Sequence, residues 1–397
     1  MADPQIHDSI VIGAGQAGLS AAHHLQRLGI EHLVLDANAH PGGAWQHRWD
    51  ALTMGDVHGV ADLPEAVRPP APEDARANVA VPEYFAAYEE GFVTPVIRPV
   101  EVAGVEPAEL PDGSDGFVVK ATTDAGPQTW HTRTLVNATG TWTRPFVPYY
   151  PGIDQFAGRQ LHTVEFPGPE HFRGHRTVVV GGGASAVQFL GMLAPIVGAD
   201  QLVWVTRTPP DFRDETFTRE LGAAAVAQVA ARVEQGLPPR SVVSVTGLHL
   251  RPQEEQARRL GVYRRRRPMF SRIEPTGVRW DDPEPGGTAF EEVDTILWAT
   301  GFRPAIEHLA PLRLRTRYGG IQLAADGTTA VADPRVQLVG YGPSASTIGG
   351  NRAGRQAALG IRRALADPRP LPASTPTAAD VDEHSGRGSY GVSGARA

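Results

Sequence analysis

The chain has 397 residues, more than one hydrophobic core usually organises, and its formal charge of −7 argues against a nucleic-acid partner, whose phosphates call for a basic face. Cysteine is absent, which excludes disulfides, thiolate nucleophiles, iron–sulfur ligation and a redox dithiol. No apolar run approaches the roughly 20 residues that span a bilayer, and "MADPQIHDSIVIG" enters a strand directly, so the expectation is a cytoplasmic protein without a signal peptide or membrane partner.

The first elements read strand, glycine turn, helix, strand: "DSIVIG", "AGQAGLSAAHHLQRLG", "EHLVLD". Gly13, Gly15 and Gly18 stand where a tight turn, close approach to a pyrophosphate and close helix packing ask for glycine. Asp36 ends the second strand about twenty residues on, placed to accept a bond from a ribose hydroxyl. The Pro-rich stretch from Leu63 to Pro82 predicts a loop, and "PEYFAAYEEGF" a short amphipathic helix after it. Next, "VIRPVEVAGVE", "GFVVKATT" and "QTWHTRTLVNATG" alternate as an antiparallel meander that returns to the first sheet.

A second unit follows in "RTVVVGGGASAVQFLGMLA" and "QLVWVTRT". Gly181, Gly183 and Ala186 repeat the glycine pattern, with Ser185 and Gln188 opening the helix at the phosphates. The closing strand ends in Thr206 and Arg207 and lacks an acid. Arg207 can pair with a 2′-phosphate through a charge-assisted fork, which favours NADPH over NADH; the plainer alternative is an exposed strand-end arginine. "TRELGAAAVAQVAARVEQG" has helical spacing, and Arg264 to Arg267 reads as a solvated loop or edge.

"VDTILWATG" and "RVQLVGYG" are again buried strands of the parallel-sheet kind. The expected fold class is α/β, with two Rossmann-like dinucleotide-binding domains, the second inserted into the first. Residues 1–165 form the first part of an FAD-binding domain, 166–290 an NADPH-binding domain, 291–372 the second part of the FAD domain, and 373–397 a flexible tail. Two units need two cofactors, a flavin held by the first and a nicotinamide visiting the second. The 14 histidines show no metal-ligand spacing, so no metal is expected.

At this point the sequence resembles the two-dinucleotide-domain (class B) flavoprotein monooxygenases: flavin-containing monooxygenases, YUCCA enzymes, N-hydroxylases and Baeyer–Villiger monooxygenases. The matching pieces, from about residue 9 to about residue 360, are "GAGQAGL", "PGGAW", "NATGTWTRPFVPYYPG", "FAGRQLHTVEF", "GGGASAVQ" and "WATGFRP". The resemblance implies that Gly43, Trp45 and the paired "ATG" turns, with Thr139, Gly140, Thr300 and Gly301, lie against cofactor. It sets Phe156, Gly158, His162 and Phe166 at the junction of the domains, with His162 ordering the junction rather than moving a proton. It also aims the N-terminus of the last helix, near Asn351, at the flavin pyrimidine.

The activity implied is reduction of FAD by NADPH, addition of molecular oxygen as a C4a-(hydro)peroxyflavin, and transfer of one oxygen atom to a small organic substrate. The alternatives are an NADPH oxidase or flavin-dependent dehydrogenase that inserts no oxygen, and a nucleotide-bound sensor. A homodimer is implied by the family alone. One stretch departs from the pattern: "RWDALTMGDVHGVADLP" stands where family members often read "W-x-S-L-x-L". There Asp56 and His58 are either an acid/base pair near the flavin or residues that close a loop. The catalytic candidates are therefore Asp56, His58 and Asn351.

Overall fold

The computed structural model describes residues 5–57, 60–212, 219–239, 247–248 and 250–367. His58 and the segment 373–397 lie outside the described residues.

The first sheet is built on β1 (Ile6–Ile12), followed by α1 (Gln16–Arg27) and β2 (His32–Leu35). A meander of β3 (Val100–Glu109), β4 (Asp115–Thr123) and β5 (Gly126–Asn137) returns to it, antiparallel within itself, and β5 lies parallel to β1. The order is β2-β1-β5-β4-β3, and β5 is long enough to pair at its C-terminal end with a sixth strand, Val336–Leu338. Ile12 stands opposite both Leu35 and Asn137, and Asn137 opposite Leu338. Four strands thus end level, and Gly13, Asp36, Ala138 and Val339 leave the sheet at one edge.

The second sheet is all parallel. It contains β6 (Arg159–His162), β7 (Thr177–Val180), α3 (Ala184–Val197) after β7, and β8 (Leu202–Val205). Counted along the chain, α2 is Ala77–Glu89, α4 is Arg219–Glu234 and α5 is Pro252–Arg259. β9 (Arg266–Arg267) is the edge strand, and β13 (Thr295–Trp298) lies between β6 and β7. β7, β8 and β13 are buried at every position, as "TVVV", "LVWV" and "TILW" lead one to expect of strands covered on both faces. Val180 faces Val205 and Trp298, and Trp298 faces His162, so these strands also end level. A small antiparallel sheet of β10 (Arg272–Glu274), β11 (Gly277–Arg279) and β12 (Phe290–Glu292) flanks them.

Sheet membership divides the chain at other strands than the sequence boundaries. β6, read with residues 1–165, and β13, read with residues 291–372, both hydrogen-bond in the second sheet. The first sheet resumes only at β14 (Val336–Leu338). The reason is that "TILW" and "VQL" are equally apolar, and an apolar run does not say which sheet receives it. A second difference is α2, which starts at Ala77, inside the stretch read as loop, and carries Pro82 within it. Backbone bonds from Ala77 to Leu52 and from Met54 to Ala75 fix that start, and the Pro82 ring packs on Gly42.

The last helix, α6 (Thr347–Ala366), packs on α1. The packing is close because Gly354 faces Ser20: a Cβ at Gly354 would lie 2.4 Å from the Ser20 hydroxyl. One apolar core runs continuously from α1 to α3. Its bridge is aromatic. Phe166 stacks on Phe189 of α3 with centroids 4.4 Å apart, and Trp49 of the first unit meets both rings at 5.7 and 5.1 Å.

Candidate functional site

The two glycine turns are wired alike. Gly13 donates to the Leu35 carbonyl, and Gly181 donates to the Val205 carbonyl. Ala138 donates to Ile12, and Ala299 to Val180. Each first glycine has positive φ, +102° at Gly13 and +145° at Gly181. Each backs onto an "ATG" alanine: a Cβ would stand 2.6 Å from the Ala138 oxygen at Gly13, and 2.2 Å from the Ala299 oxygen at Gly181. A side chain at either position is excluded both by backbone strain and by contact.

Gly15 and Gly183 are the N-caps of α1 and α3, and neither helix has a side-chain cap or an acid in its first turn. Their first N–H groups are therefore free of side-chain acceptors, which is the condition under which a helix N-terminus receives a phosphate. α6 differs, since Ser346 caps it by accepting the Gly349 N–H. At the third position a Cβ on Gly18 would meet the Gly13 oxygen at 1.9 Å, whereas Ala186 carries its methyl fully buried. Gly43, at the start of the 3-10 helix Gly43–His47, rests on Gly15, its own Cβ position only 2.8 Å from the Gly15 Cα.

The two "ATG" segments run side by side where the chain crosses between sheets. Ala305 N–H bonds to Gly140 O at 2.9 Å, Arg303 to Arg144 at 2.8 Å and Phe146 to Gly301 at 3.0 Å. The Thr139 and Thr300 hydroxyls donate to the carbonyls of Ala305 and Phe146, so these threonines are spent on the crossover. His162 joins the same point. Its Nδ1 accepts from Val164 N–H, leaving Nε2–H to donate to Gly301 O at 3.0 Å. Buried to 3% exposure, the ring is held below its ordinary pKa by desolvation. A neutral imidazole with both nitrogens bonded to backbone is suited to positioning, not proton transfer.

The second strands end differently. Asp36 is buried, with Oδ2 accepting the Ala14 N–H at 2.5 Å and Oδ1 accepting the Asn38 N–H at 2.7 Å. The acid thus braces the glycine turn itself, and a ribose would use its remaining lone pairs. At the other strand end Arg207 is exposed, with no hydrogen bond or ion pair to any described residue. Beside it Arg266 donates from Nε to Thr206 Oγ1 at 2.9 Å. The basic run read as a loop or edge therefore supplies an edge strand and a second guanidinium at this corner.

The remaining candidates brace segments. Asp56 accepts from Thr53 Oγ1 at 2.7 Å, closing its own turn, while its carbonyl takes a bond from Gln188 Nε2 at 3.3 Å. Ser185 lies in the first turn of α3, partly exposed. Asn351 accepts from Gln16 Nε2 at 2.8 Å and donates to the Asp62 carbonyl, clamping α6 to α1. Trp45 is partly buried beside Arg48.

Sequence reasoning gave no role to Arg48, Trp142, Phe302 or Gln16. The only local signal for the first three was their place inside quoted stretches: Arg48 opens "RWDALTMGDVHGVADLP", and Trp142 and Phe302 lie in "NATGTWTRPFVPYYPG" and "WATGFRP". A cavity of about 800 Å³ opens away from both glycine turns, between α2 and the loop at 64–72. The charge and glycine geometry, rather than that cavity, locate the site.

Two phosphate-receptive turns joined by paired crossovers define a two-dinucleotide-domain α/β oxidoreductase. Residues 10–230 match the family described as pyridine nucleotide-disulphide oxidoreductase, and the chain belongs to that family, in the branch of the flavoprotein monooxygenases. It is 32% identical over 182 residues to indole-3-pyruvate monooxygenase YUCCA1 of Oryza sativa subsp. japonica, covering 45% of this chain and 43% of that relative. It is 30% identical over 218 residues to a Baeyer–Villiger monooxygenase of Streptomyces coelicolor, 52% of this chain and 39% of that one. The chain thus spans less than half the length of these curated relatives. A solved flavin-containing monooxygenase from Stenotrophomonas maltophilia is similar across 91% of this chain and 99% of its own, with a TM-score of 0.74 and 32% identity.

Proposed function

We propose that the protein is an FAD- and NADPH-dependent monooxygenase that oxygenates a small organic substrate. The observation that carries this reading is the matched pair of glycine turns, each backed by an "ATG" alanine and joined by the crossover, in a chain without cysteine. Without cysteine, disulfide reduction by the protein's own thiols has no donor.

In this reading the N-terminus of α1 holds the pyrophosphate of FAD, and that of α3 the pyrophosphate of NADPH. Arg207, supported by Arg266, pairs with the 2′-phosphate. Bound flavin, once reduced by the nicotinamide, supplies the oxygen chemistry. The chain's own contribution is placement: His162 holds the Gly301 carbonyl, Phe302 lies edge-on to His162 at 5.1 Å, and Trp142 stacks on Phe302 at 5.2 Å. That column of rings lines the junction, with His162 buried at its inner end.

The test is stoichiometric. Purified protein carries flavin, NADPH bleaches it, and oxygenated product forms in step with NADPH consumed. Hydrogen peroxide equal to the NADPH consumed, at every substrate tried, replaces this reading with the oxidase.

A further inference from the structure

Three enclosed arginines among the described residues have carboxylate partners. Arg98 is held by Glu89 at 2.7 and 2.8 Å, Arg335 by Asp333 at 3.0 and 2.7 Å, and Arg267, over Trp280, by Glu291 at 3.1 Å. Arg48 differs. Its guanidinium carbon lies 4.2 Å from the Trp142 ring centroid and 5.6 Å from that of Trp45. No hydrogen bond or ion pair joins the guanidinium to any described residue, and its Nε is enclosed without a partner. Burial draws its pKa down to about 10, with no nearby carboxylate acting in the opposite direction. Cation–π contact with two indoles gives back only part of what it costs to take a cation out of water. Among the described residues no anion offsets that deficit, and an anionic ligand would.

The location narrows which anion. Arg48 directly follows the 3-10 helix that rests on Gly15, and Trp142 and Phe302 stand two residues and one residue beyond the glycines of the two crossover turns. The phosphates of two nucleotides already have seats elsewhere, at the N-termini of α1 and α3 and at Arg207 with Arg266. What surrounds Arg48 is flat and aromatic.

We infer that Arg48 is a specificity residue that seats the carboxylate of an anionic substrate with a flat apolar body, at the point where the two nucleotide units meet. A planar carboxylate matches the guanidinium fork with two parallel hydrogen bonds, and the indoles hold that fork in place before the ligand arrives. The inference rests on the proposed function for its setting but not for its test.

Benzoate, benzamide and inorganic pyrophosphate are titrated into the purified holoprotein by calorimetry, in wild type, Arg48→Met and Arg48→Lys. Benzoate is expected to bind wild type at least tenfold more tightly than benzamide. Arg48→Met removes that preference, and Arg48→Lys restores part of it, which separates charge from shape. Flavin content and bleaching by NADPH are read on the same samples. Equal binding of benzoate and benzamide to wild type overturns the inference, as does benzoate binding unchanged in Arg48→Met. Loss of flavin or a raised KM for NADPH in Arg48→Met and Arg48→Lys, with the benzoate preference intact, assigns the arginine to a cofactor phosphate and also overturns it. A wild-type protein without flavin that still prefers benzoate sinks the proposed function and leaves the carboxylate seat standing.

Discussion

The two glycine units share their wiring and differ in how tightly they are shut. In the first, Gly18 leaves no room for a methyl, Gly43 lies on Gly15, Asp36 braces the turn, and Asn351 clamps α6 over α1. In the second, Ala186 takes the place of the third glycine, and the strand end holds exposed Arg207 in place of a buried acid. The difference teaches that one motif can serve two kinetics: a closed seat suits a nucleotide that stays, and an open cationic corner suits one that comes and goes.

Gly18→Ala gives the strongest break of this contrast. Its Cβ meets the Gly13 oxygen at 1.9 Å, an overpacking against backbone that costs about 3 kcal/mol. The expected outcome is protein purified without flavin and with a lowered melting temperature. Acid is the next largest perturbation, and it falls on the first unit. Burial holds His308, which donates to Asn137 Oδ1 at 2.7 Å, and His24 of α1 at about 4, below the ordinary value of 6.5. As pH falls the unfolded chain takes up these protons first. Stability is full above pH 6.5 and is lost progressively toward pH 4, with His308 contributing on the order of 2 kcal/mol. Melting curves and flavin release from pH 7 to 4.5 check this, and His308→Gln flattens the profile.

A smaller effect sharpens the contrast at the second unit. Arg207→Ser raises the KM for NADPH about tenfold, equivalent to about 1.4 kcal/mol, and leaves reduction by NADH unchanged in initial-rate assays. The smallest is Ala186→Gly. Restoring glycine at the third position costs less than about 1 kcal/mol through helix propensity, and bound flavin, measured by its absorbance, does not change.

The sequence made legible whatever a backbone turn demands locally. Gly13, Gly18, Gly181 and the buried strands β7 and β8 all stand in the expected elements, because a steric requirement for glycine and a covered apolar strand are each visible in a few residues. What depends on distant partners was not legible. That β13 belongs with β7 rather than β5 is decided by which strand lies beside it. That Arg48 has no carboxylate partner among the described residues, and that Arg266 supports Thr206, are facts about neighbours far along the chain. Asp36 shows the middle case: its position was readable, its bond to Ala14 was not.

The crossover has one more consequence. Residues 140–146 and 300–305 are zipped to each other by backbone hydrogen bonds, so the chain departs for the second sheet and comes back at nearly one spot. The covalent path of everything between those points is thus gathered at one place, while the Trp49–Phe166–Phe189 contact and the bond from Gln188 to the Asp56 carbonyl hold the insert against the first unit a second time. An exchange of that contiguous stretch therefore leaves Gly13 to Gly18 and α6 outside it, and it has to keep both the zipped strands and the aromatic contact to Trp49.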